Sequence, residues 1–529
     1  MPVRPQRPGL IRAGLIVLVA GLGQALSIAT PWDGQPLWWL QLASLATLVG
    51  VLTRLAADGQ PERWRDAAVL GWLFASAWLA GTWWWLYISL HIYGGLNAGL
   101  AVVAVLTLAA ALALYYGLVC GLFYKLFLVK PSVKWSFGAL FFAALWTVAE
   151  LARARWFTGF PWGMGGYAHT DGPLAALAPW VGVYGIGGAA AWLAAVLAGL
   201  VAPLRAGQGG GKRMRMAFSL ALVLAGAQLV GTAGPSFSLS AGTLNVSLLQ
   251  GNIAQDQKFQ RGTGVADALD WYGRALMDNR AALVVAPETA IPLLPAQLPD
   301  GYWAALQTRY SDGDQAALIG VPLGSSSQGY TNAVVGLRPG LPVPYSYDKH
   351  HLVPFGEFVP PFFHWFIDLM RIPLGDFNRG PLVAPSFVWQ GQRLAPNICY
   401  EDLFGEELGA RFADPARAPT MMVNVSNIAW FGDSLAIDQH LQISRMRALE
   451  FERPMLRATN TGATVIINHR GEVTHSLARS TRGMLSGVAE GRVGNTPYAR
   501  WVSIAGLWPL WGLGLLVVAG AALRVRRRR

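Results

Sequence analysis

Eight apolar runs constrain this chain more than any other feature. They lie near residues 10–28, 36–54, 68–88, 97–123, 136–153, 180–203, 216–234 and 502–523. Each approaches the about 20 residues that a helix needs to cross a hydrocarbon core. An even number of crossings puts both ends of the chain on one side, and the charges between the runs choose that side. Arg4, Arg7 and Arg12 precede the first run, and Arg54, Arg63 and Arg65 follow the second. Lys125, Lys130 and Lys134 follow the fourth, and Arg205, Lys212, Arg213 and Arg215 follow the sixth. Arg524 and Arg526 to Arg529 end the chain. These segments hold 18 basic residues, whereas the short loops of the opposite face hold only Arg153 and Arg155. Excess Lys and Arg mark the cytoplasmic side, so both termini are expected there and residues 235–501 outside.

Composition agrees. The chain is 53% hydrophobic and 13% charged, with a net charge of +12. Residues 235–501 carry 21 Lys+Arg against 23 Asp+Glu, a net of −2, so the positive excess belongs to the loops between apolar runs. That is a topology signal and not a nucleic-acid footprint. The expected organisation is a seven-helix membrane region over 1–234, an outer domain over 235–501, and a last span with a basic tail over 502–529. The first run has a second reading as a cleaved signal peptide, since Ala25-Leu26-Ser27 is rich in small residues. Its length and the even span count favour a retained helix.

The outer-side loops are aromatic. Trp32, Trp38, Trp39 and the run Trp83-Trp84-Trp85-Leu86-Tyr87 read as an interfacial belt, where indole rings sit at headgroup level. The run from Trp156 to Trp162 lies in a long glycine-rich loop and is expected to wall a lipid-facing cleft. Glu150, an ionisable group at membrane depth, is expected to pair with Arg153 or Arg155. Gly207-Gln208-Gly209-Gly210-Gly211-Lys212 looks like a phosphate loop but is one residue short, with Arg213 where Ser or Thr belongs. It reads as a linker.

From Gly242 the texture changes. Thr243 to Gln250, Ala282 to Ala286, Ala316 to Val321, Thr420 to Val425 and Thr464 to Ile467 read as strands. Gly264 to Ala282 and Asp438 to Glu452 have helical spacing. Strands alternating with helices predict a layered α/β domain. Within it lies Cys399, one of two cysteines in the chain, which follows a strand-like segment into a turn. A lone cysteine is usually a buried, inert small residue; beside a base it becomes a nucleophile. Val284-Val285-Ala286-Pro287-Glu288 places a carboxylate at a strand's carboxyl end, where α/β sites form. Tyr347-Asp348-Lys349-His350-His351 places a lysine before a Gly/Pro-rich loop that contains Glu357. Taken singly, Glu288 and Lys349 read as surface residues.

Together, Glu288, Lys349 and Cys399 resemble the catalytic triad of the nitrilase superfamily, whose fold is an αββα sandwich. The eight spans and Pro354-Phe355-Gly356-Glu357-Phe358-Val359-Pro360 are similar to the bacterial apolipoprotein N-acyltransferases. Asn427, the stretch Ala429 to Ser434 and the stretch Arg457 to Gly462 also match that family. There are two departures: Phe259 stands where the family usually has Trp, and Ile428 where it usually has Asp.

The resemblance implies a membrane enzyme of the bacterial inner membrane with a periplasmic catalytic domain and neither cofactor nor metal. Its acyl donor would be a phospholipid and its acceptor the N-terminal amine of a diacylglyceryl-modified apolipoprotein. Cys399 would carry the acyl chain as a thioester, Glu288 would serve as general base and Lys349 would stabilise the tetrahedral oxygen. Glu357, Tyr400 and Glu401 would support them, with Tyr400 and Glu401 shaping the acyl pocket. Phe259, Phe355, Phe358, Trp430 and Trp162 are expected to contact substrate. Phe355, Phe358, Phe362, Phe363 and Trp365 would form an apolar lid, the alternative being a core stretch of the domain. Two rivals remain at this level: a membrane-tethered nitrilase-type amidase, and a transporter or receptor whose outer domain only binds ligand.

Overall fold

The computed structural model describes the chain except residues 1–7, 59, 130–134, 202–217, 219–220, 223, 230, 232–233, 235, 261, 362, 364–375 and 527–529. The chain forms two compact units. The first comprises 1–84, 102–235 and 507–529, and the second comprises 85–101 and 236–506.

The first unit is helical. Among the described residues, five helices are long and apolar enough to cross a membrane: Gly9–Leu26, Trp38–Leu55, Ala98–Leu128, Trp135–Thr158 and Pro173–Leu200. The helix Trp64–Trp83 forms at the third expected run but opens on Arg65 and Asp66 and is not among them. The seventh run, 216–234, is interrupted by undescribed residues and is not among them. The eighth is not one straight helix. The helices Pro497–Ala505 and Trp508–Leu523 meet at 86°, because Gly506 takes φ +53° and Pro509 has no N–H to extend the ladder. Counting the bent pair as one span gives six among the described residues, where eight were expected.

Two further expectations change in this unit. Arg153 acts on Glu150 through its charge but gives its hydrogen bonds elsewhere: it donates to Tyr116 Oη at 2.9 Å and to the carbonyls of Phe160 and Trp162 at 2.8 and 2.9 Å. Glu150 accepts the Gly165 N–H at 3.2 Å instead. Trp162, expected on a cleft wall, is 3% exposed, and its carbonyl accepts from Trp83 as well as Arg153. Its ring is packing within the helical unit.

The second unit is built on two six-stranded sheets. One runs β12-β1-β2-β3-β4-β5 and the other β11-β10-β9-β8-β7-β6. The strands of the first are β1 Leu239–Gln250, β2 Leu283–Val285, β3 Ala316–Ser325, β4 Gly329–Leu337, β5 Tyr345–Asp348 and β12 Gly483–Val493. Those of the second are β6 Phe387–Trp389, β7 Gln392–Ile398, β8 Met421–Ser426, β9 Met455–Thr459, β10 Val465–Ile467 and β11 Val473–Ser476. Each sheet has a parallel core of three strands, β1-β2-β3 in one and β7-β8-β9 in the other, with antiparallel pairs outside it. Parallel neighbours need crossovers. The helices Gly264–Asp278, Tyr302–Ser311 and Leu435–Phe451 each lie between two such strands in the chain.

The two-residue period of a strand sorts its side chains onto two faces. Val246, Leu248, Leu283, Val285 and Leu318 of one sheet meet Ile398, Met421, Val423, Val425 and Leu456 of the other in a single core. The alternate residues Leu249, Val284, Ala317 and Ile319 pack outward on Ala268, Tyr272, Leu276 and Leu306 of two helices. Met422, Met455, Val465 and Ile467 pack outward on Ala448, Phe451, Tyr498 and Val502. The layers are therefore α-β-β-α.

Trp85 corrects the belt reading. It is 1% exposed and belongs to this second unit. Its Nε1 donates to Gln439 Oε1 at 3.0 Å, and its ring lies 4.3 Å from that of Phe431. Trp32, Trp39 and Trp84 keep exposed faces, as an interfacial belt requires.

Candidate active site

The site grows from strand ends. After β2 the chain turns over Pro287 and Glu288, and Thr289 takes φ +48°. Gly320 of β3 makes this turn possible, because a Cβ there would meet the Pro287 carbonyl at 2.2 Å and Glu288 Cα at 2.8 Å. After β7, Cys399 itself takes φ +52°. Left-handed backbone at a non-glycine costs about 1–3 kcal/mol and persists only where the surroundings over-determine it. Asn252 and Phe355 add φ of +49° and +63°.

Glu288 is 8% exposed. Its Oε1 accepts Asn332 Nδ2 at 2.7 Å and faces Lys349 Nζ at 3.4 Å, while Oε2 accepts the Asn427 N–H at 2.8 Å. Lys349, which follows β5, is 1% exposed and donates to Glu357 Oε1 at 2.9 Å. Asn332 Nδ2 also donates to that oxygen, at 2.8 Å. Asn332 and Lys349 thus each bridge the same two carboxylates. Glu357 is fixed from its own loop by the Val353 N–H at 2.8 Å. A second lysine, Lys258, is 2% exposed and donates to the main-chain carbonyl of Glu288 at 3.1 Å.

Charge states follow from these contacts. Burial pushes Glu288 up, but the Lys349 ammonium, the Asn332 amide and the Lys258 ammonium together hold it below the usual carboxylate value. Burial pushes Lys349 down, and the Glu357 and Glu288 carboxylates override it, keeping the ammonium charged. Burial and the Glu288 charge push the Cys399 thiol up to about 12, with Lys349 and a hydrogen bond to Ser426 opposing. The resting site therefore holds a neutral thiol within the electrostatic reach of an ionised carboxylate and a buried ammonium.

Glu401 and Tyr400 are buried, at 3% and 5% exposed, and neither presents an open wall to an acyl chain. The Glu401 carboxylate accepts the N–H groups of Ile398, His350 and His351 at 2.6, 2.7 and 3.1 Å, and the Tyr347 hydroxyl at 2.8 and 2.9 Å. It thereby ties the Cys399 turn to the segment that follows Lys349. The Tyr400 ring packs 5.2 Å from Phe404 and 5.6 Å from His351.

Behind the turn lies a second charged cluster, wholly buried. Asp402 accepts His440 Nε2 at 2.8 Å, Ser444 Oγ at 2.6 Å and Arg457 at 3.3 Å. Arg457 also reaches His440 Nδ1 at 2.8 Å, so Nδ1 accepts and the imidazole is neutral with its proton on Nε2. Burial and the guanidinium both hold His440 below its ordinary value. Asn424 Nδ2 and His440 Nε2 approach the Cys399 carbonyl at 3.2 and 3.3 Å, pinning the strained turn.

Of the residues expected at the rim, Phe259 is 48% exposed. Phe355 packs edge-on to Phe363 at 5.4 Å, and the Arg379 guanidinium sits 5.2 Å over Phe358. Trp430 packs edge-on to Tyr93 at 5.8 Å. Phe362 and Trp365 lie outside the described residues. Ile428 is 1% exposed and packs against Gly462, so an apolar contact stands where the family usually has a carboxylate. No group of three or more His, Cys, Asp or Glu among the described residues could hold a metal ion.

Sequence comparison decides the lineage. Residues 20–196 match the apolipoprotein N-acyltransferase N-terminal domain, and residues 245–498 match carbon-nitrogen hydrolase. An apolipoprotein N-acyltransferase of Verminephrobacter eiseniae is 58% identical over 93% of this chain and 92% of its own length. The chain belongs to the apolipoprotein N-acyltransferase family. Another relative of that name, from Ralstonia nicotianae, is 44% identical over 93% of this chain and 90% of its own. Among solved structures, an amidase from Nesterenkonia sp. is 18% identical and covers 52% of this chain and 99% of its own, with a TM-score of 0.37. The carbon-nitrogen hydrolase match spans the two sheets, and its nitrilase-like fold agrees with the α-β-β-α layering.

Proposed function

We propose that this N-acyltransferase moves an acyl chain from a phospholipid to the N-terminal amine of a diacylglyceryl-modified apolipoprotein, with Cys399 holding the chain between the two. In the first step Cys399 Sγ attacks the ester carbonyl and its proton passes to Glu288. The Lys349 ammonium faces the negative charge that develops on the tetrahedral oxygen. Collapse breaks the ester C–O bond, Glu288 returns the proton to the leaving glycerol oxygen, and a thioester and a lysophospholipid result. In the second step the neutral α-amine attacks the thioester, Glu288 takes its proton, and the same proton returns to the departing thiolate. An amide and a free Cys399 thiol remain.

The observation that carries this reading is the resting charge pattern in a chain of this family. A thiol held near 12 does not ionise on its own, so attack must coincide with proton transfer to a base already in place. Asn332 and Glu357 keep Lys349 and Glu288 in register, and Glu401 holds the nucleophile's turn to the same frame. The apolar helices support a membrane location, and the Lys/Arg bias of the loops favours both termini on the cytoplasmic side of the bacterial inner membrane with the carbon-nitrogen hydrolase domain periplasmic. Substrates that are themselves lipid-anchored make such a location economical, since extracting a chain costs about 0.8 kcal/mol per buried CH₂.

Incubating the full-length protein with a fluorescent-acyl phospholipid, then adding a diacylglyceryl-cysteine peptide, tests the reading. The label should move to the peptide amine and leave the protein in one turnover. Label released as free fatty acid at the same rate with and without peptide, together with ammonia release from simple amides, would support the amidase alternative instead.

A further inference from the structure

The loop 251–263 delivers a second buried ammonium to the site. Lys258 is 2% exposed, and the Glu288 carbonyl is its hydrogen-bond partner among the described residues, at 3.1 Å. Its loop is held firmly in place. The Asn252 and Ile253 N–H groups donate to Asn460 at 2.9 and 3.0 Å, Asn460 Nδ2 returns a bond to the Ile253 carbonyl at 2.8 Å, and Asn427 Nδ2 donates to Gln255 Oε1 at 2.8 Å. A lysine has three N–H donors and is rarely buried without a carboxylate partner. Here the groups acting on it are Glu288, from the turn after β2, and Cys399, from the turn after β7.

The charges of the site explain why the ammonium is there. Glu288 and Glu357 bring two negative charges, and Lys349, already engaged by both, brings one positive charge. Without Lys258 the cluster would be net negative before the thiol gave up its proton. We propose that Lys258 is a positioning residue that sets the charge balance of the site, its ammonium easing formation of the Cys399 thiolate and of the oxyanion that follows. This deepens the acyl-transfer reading and rests on Cys399 being its nucleophile. Burial lowers Lys258 to about 8, against the pull of Glu288 and Cys399. The ammonium is therefore lost as pH rises through about 8, and above that point the thiol becomes harder to ionise.

The test is alkylation of Cys399 by iodoacetamide across roughly pH 6 to 10, on the full-length protein in detergent, read by peptide mass spectrometry. Wild type should show a break near pH 8 in the rate profile. Lys258→Met should react about tenfold more slowly at neutral pH, the equivalent of about one unit in thiol pKa, and show no break. Lys258→Arg should stay within about threefold of wild type and lose the break, because a guanidinium does not titrate there. A wild-type profile in Lys258→Met would overturn the proposal, and so would Lys258→Arg reacting as slowly as the methionine variant. If Lys258→Met does not fold, Lys258→Arg decides alone: loss of the break supports the assignment and its retention overturns it. The expected alkylation pattern in a protein that takes no acyl chain from phospholipid would fault the transfer reading and leave this one standing.

Discussion

Two buried charged clusters flank Cys399, one ahead of the sulfur and one behind its carbonyl. The front cluster, Glu288, Lys349, Glu357 and Lys258, is 8%, 1%, 8% and 2% exposed and acts electrostatically on Cys399, which is itself only half-buried. The rear cluster, Asp402, His440, Ser444 and Arg457, is 0% exposed, and its members are hydrogen-bonded to one another. Both contain carboxylates held below their usual value despite burial. The lesson is that a perturbed charge state does not by itself mark chemistry. Access to the reacting atoms does, and a closed network behind a strained turn serves to hold that turn.

This contrast can be broken by substitution. The largest effect on rate should come from the front. Glu288→Gln should slow acylation of Cys399 by about 10²–10⁴-fold, the usual worth of a general base, while thermal unfolding of the detergent-solubilised protein changes little. The largest effect on stability should come from the rear. Arg457→Met leaves Asp402 buried without its cation, which typically costs about 3–5 kcal/mol and should appear as a lowered unfolding temperature. Equal stability losses at both positions would erase the distinction.

Smaller changes sharpen it. Gly320→Ala pushes a methyl into the Glu288 turn and should cut kcat by up to about 10²-fold through misplacement of the carboxylate, with KM nearly unchanged. Asp402 supplies a pH test of the rear cluster. His440 and Arg457 hold its carboxyl below 3.8 against burial, so the stability it contributes is present above about pH 4 and is lost as pH falls below it. Asp402→Asn should be less stable at neutral pH and flatter in that acid window. The smallest effect belongs to Phe259→Trp. The ring is 48% exposed, so the change should move stability by no more than about 0.5 kcal/mol.

The sequence made Glu288, Lys349 and Cys399 legible as site candidates because each sits beside a recognisable signal. Glu288 closes an apolar strand with Pro287, Lys349 precedes a Gly/Pro-rich loop, and Cys399 stands in a chain with one other cysteine. Alternating strands and helices likewise announced the layered domain. Lys258 was not legible, since a lysine amid Asp256, Gln257 and Gln260 reads as solvated surface; only the hydrogen bonds of its loop to Asn427 and Asn460 fold it inward. Asn332 had a faint signal as the lone amide opening the apolar run Ala333 to Leu337. The rear cluster had none, because it depends on one face of the helix Leu435–Phe451 meeting β9. Trp85 misled for a related reason: an indole at the end of an apolar run looks the same whether lipid or a folded domain covers it. The bend at Gly506 was hidden because hydropathy averages across a single backbone angle.

The most direct test of the central claim is a mass measurement on the tryptic peptide that carries Cys399, after the full-length protein has been incubated with phospholipid in the absence of any amine acceptor. Wild type should carry a hydroxylamine-labile acyl adduct on Cys399, sharply reduced in Glu288→Gln and discharged when a diacylglyceryl-cysteine peptide is added. An unmodified Cys399 in a preparation that still transfers acyl chains to that peptide would contradict the claim.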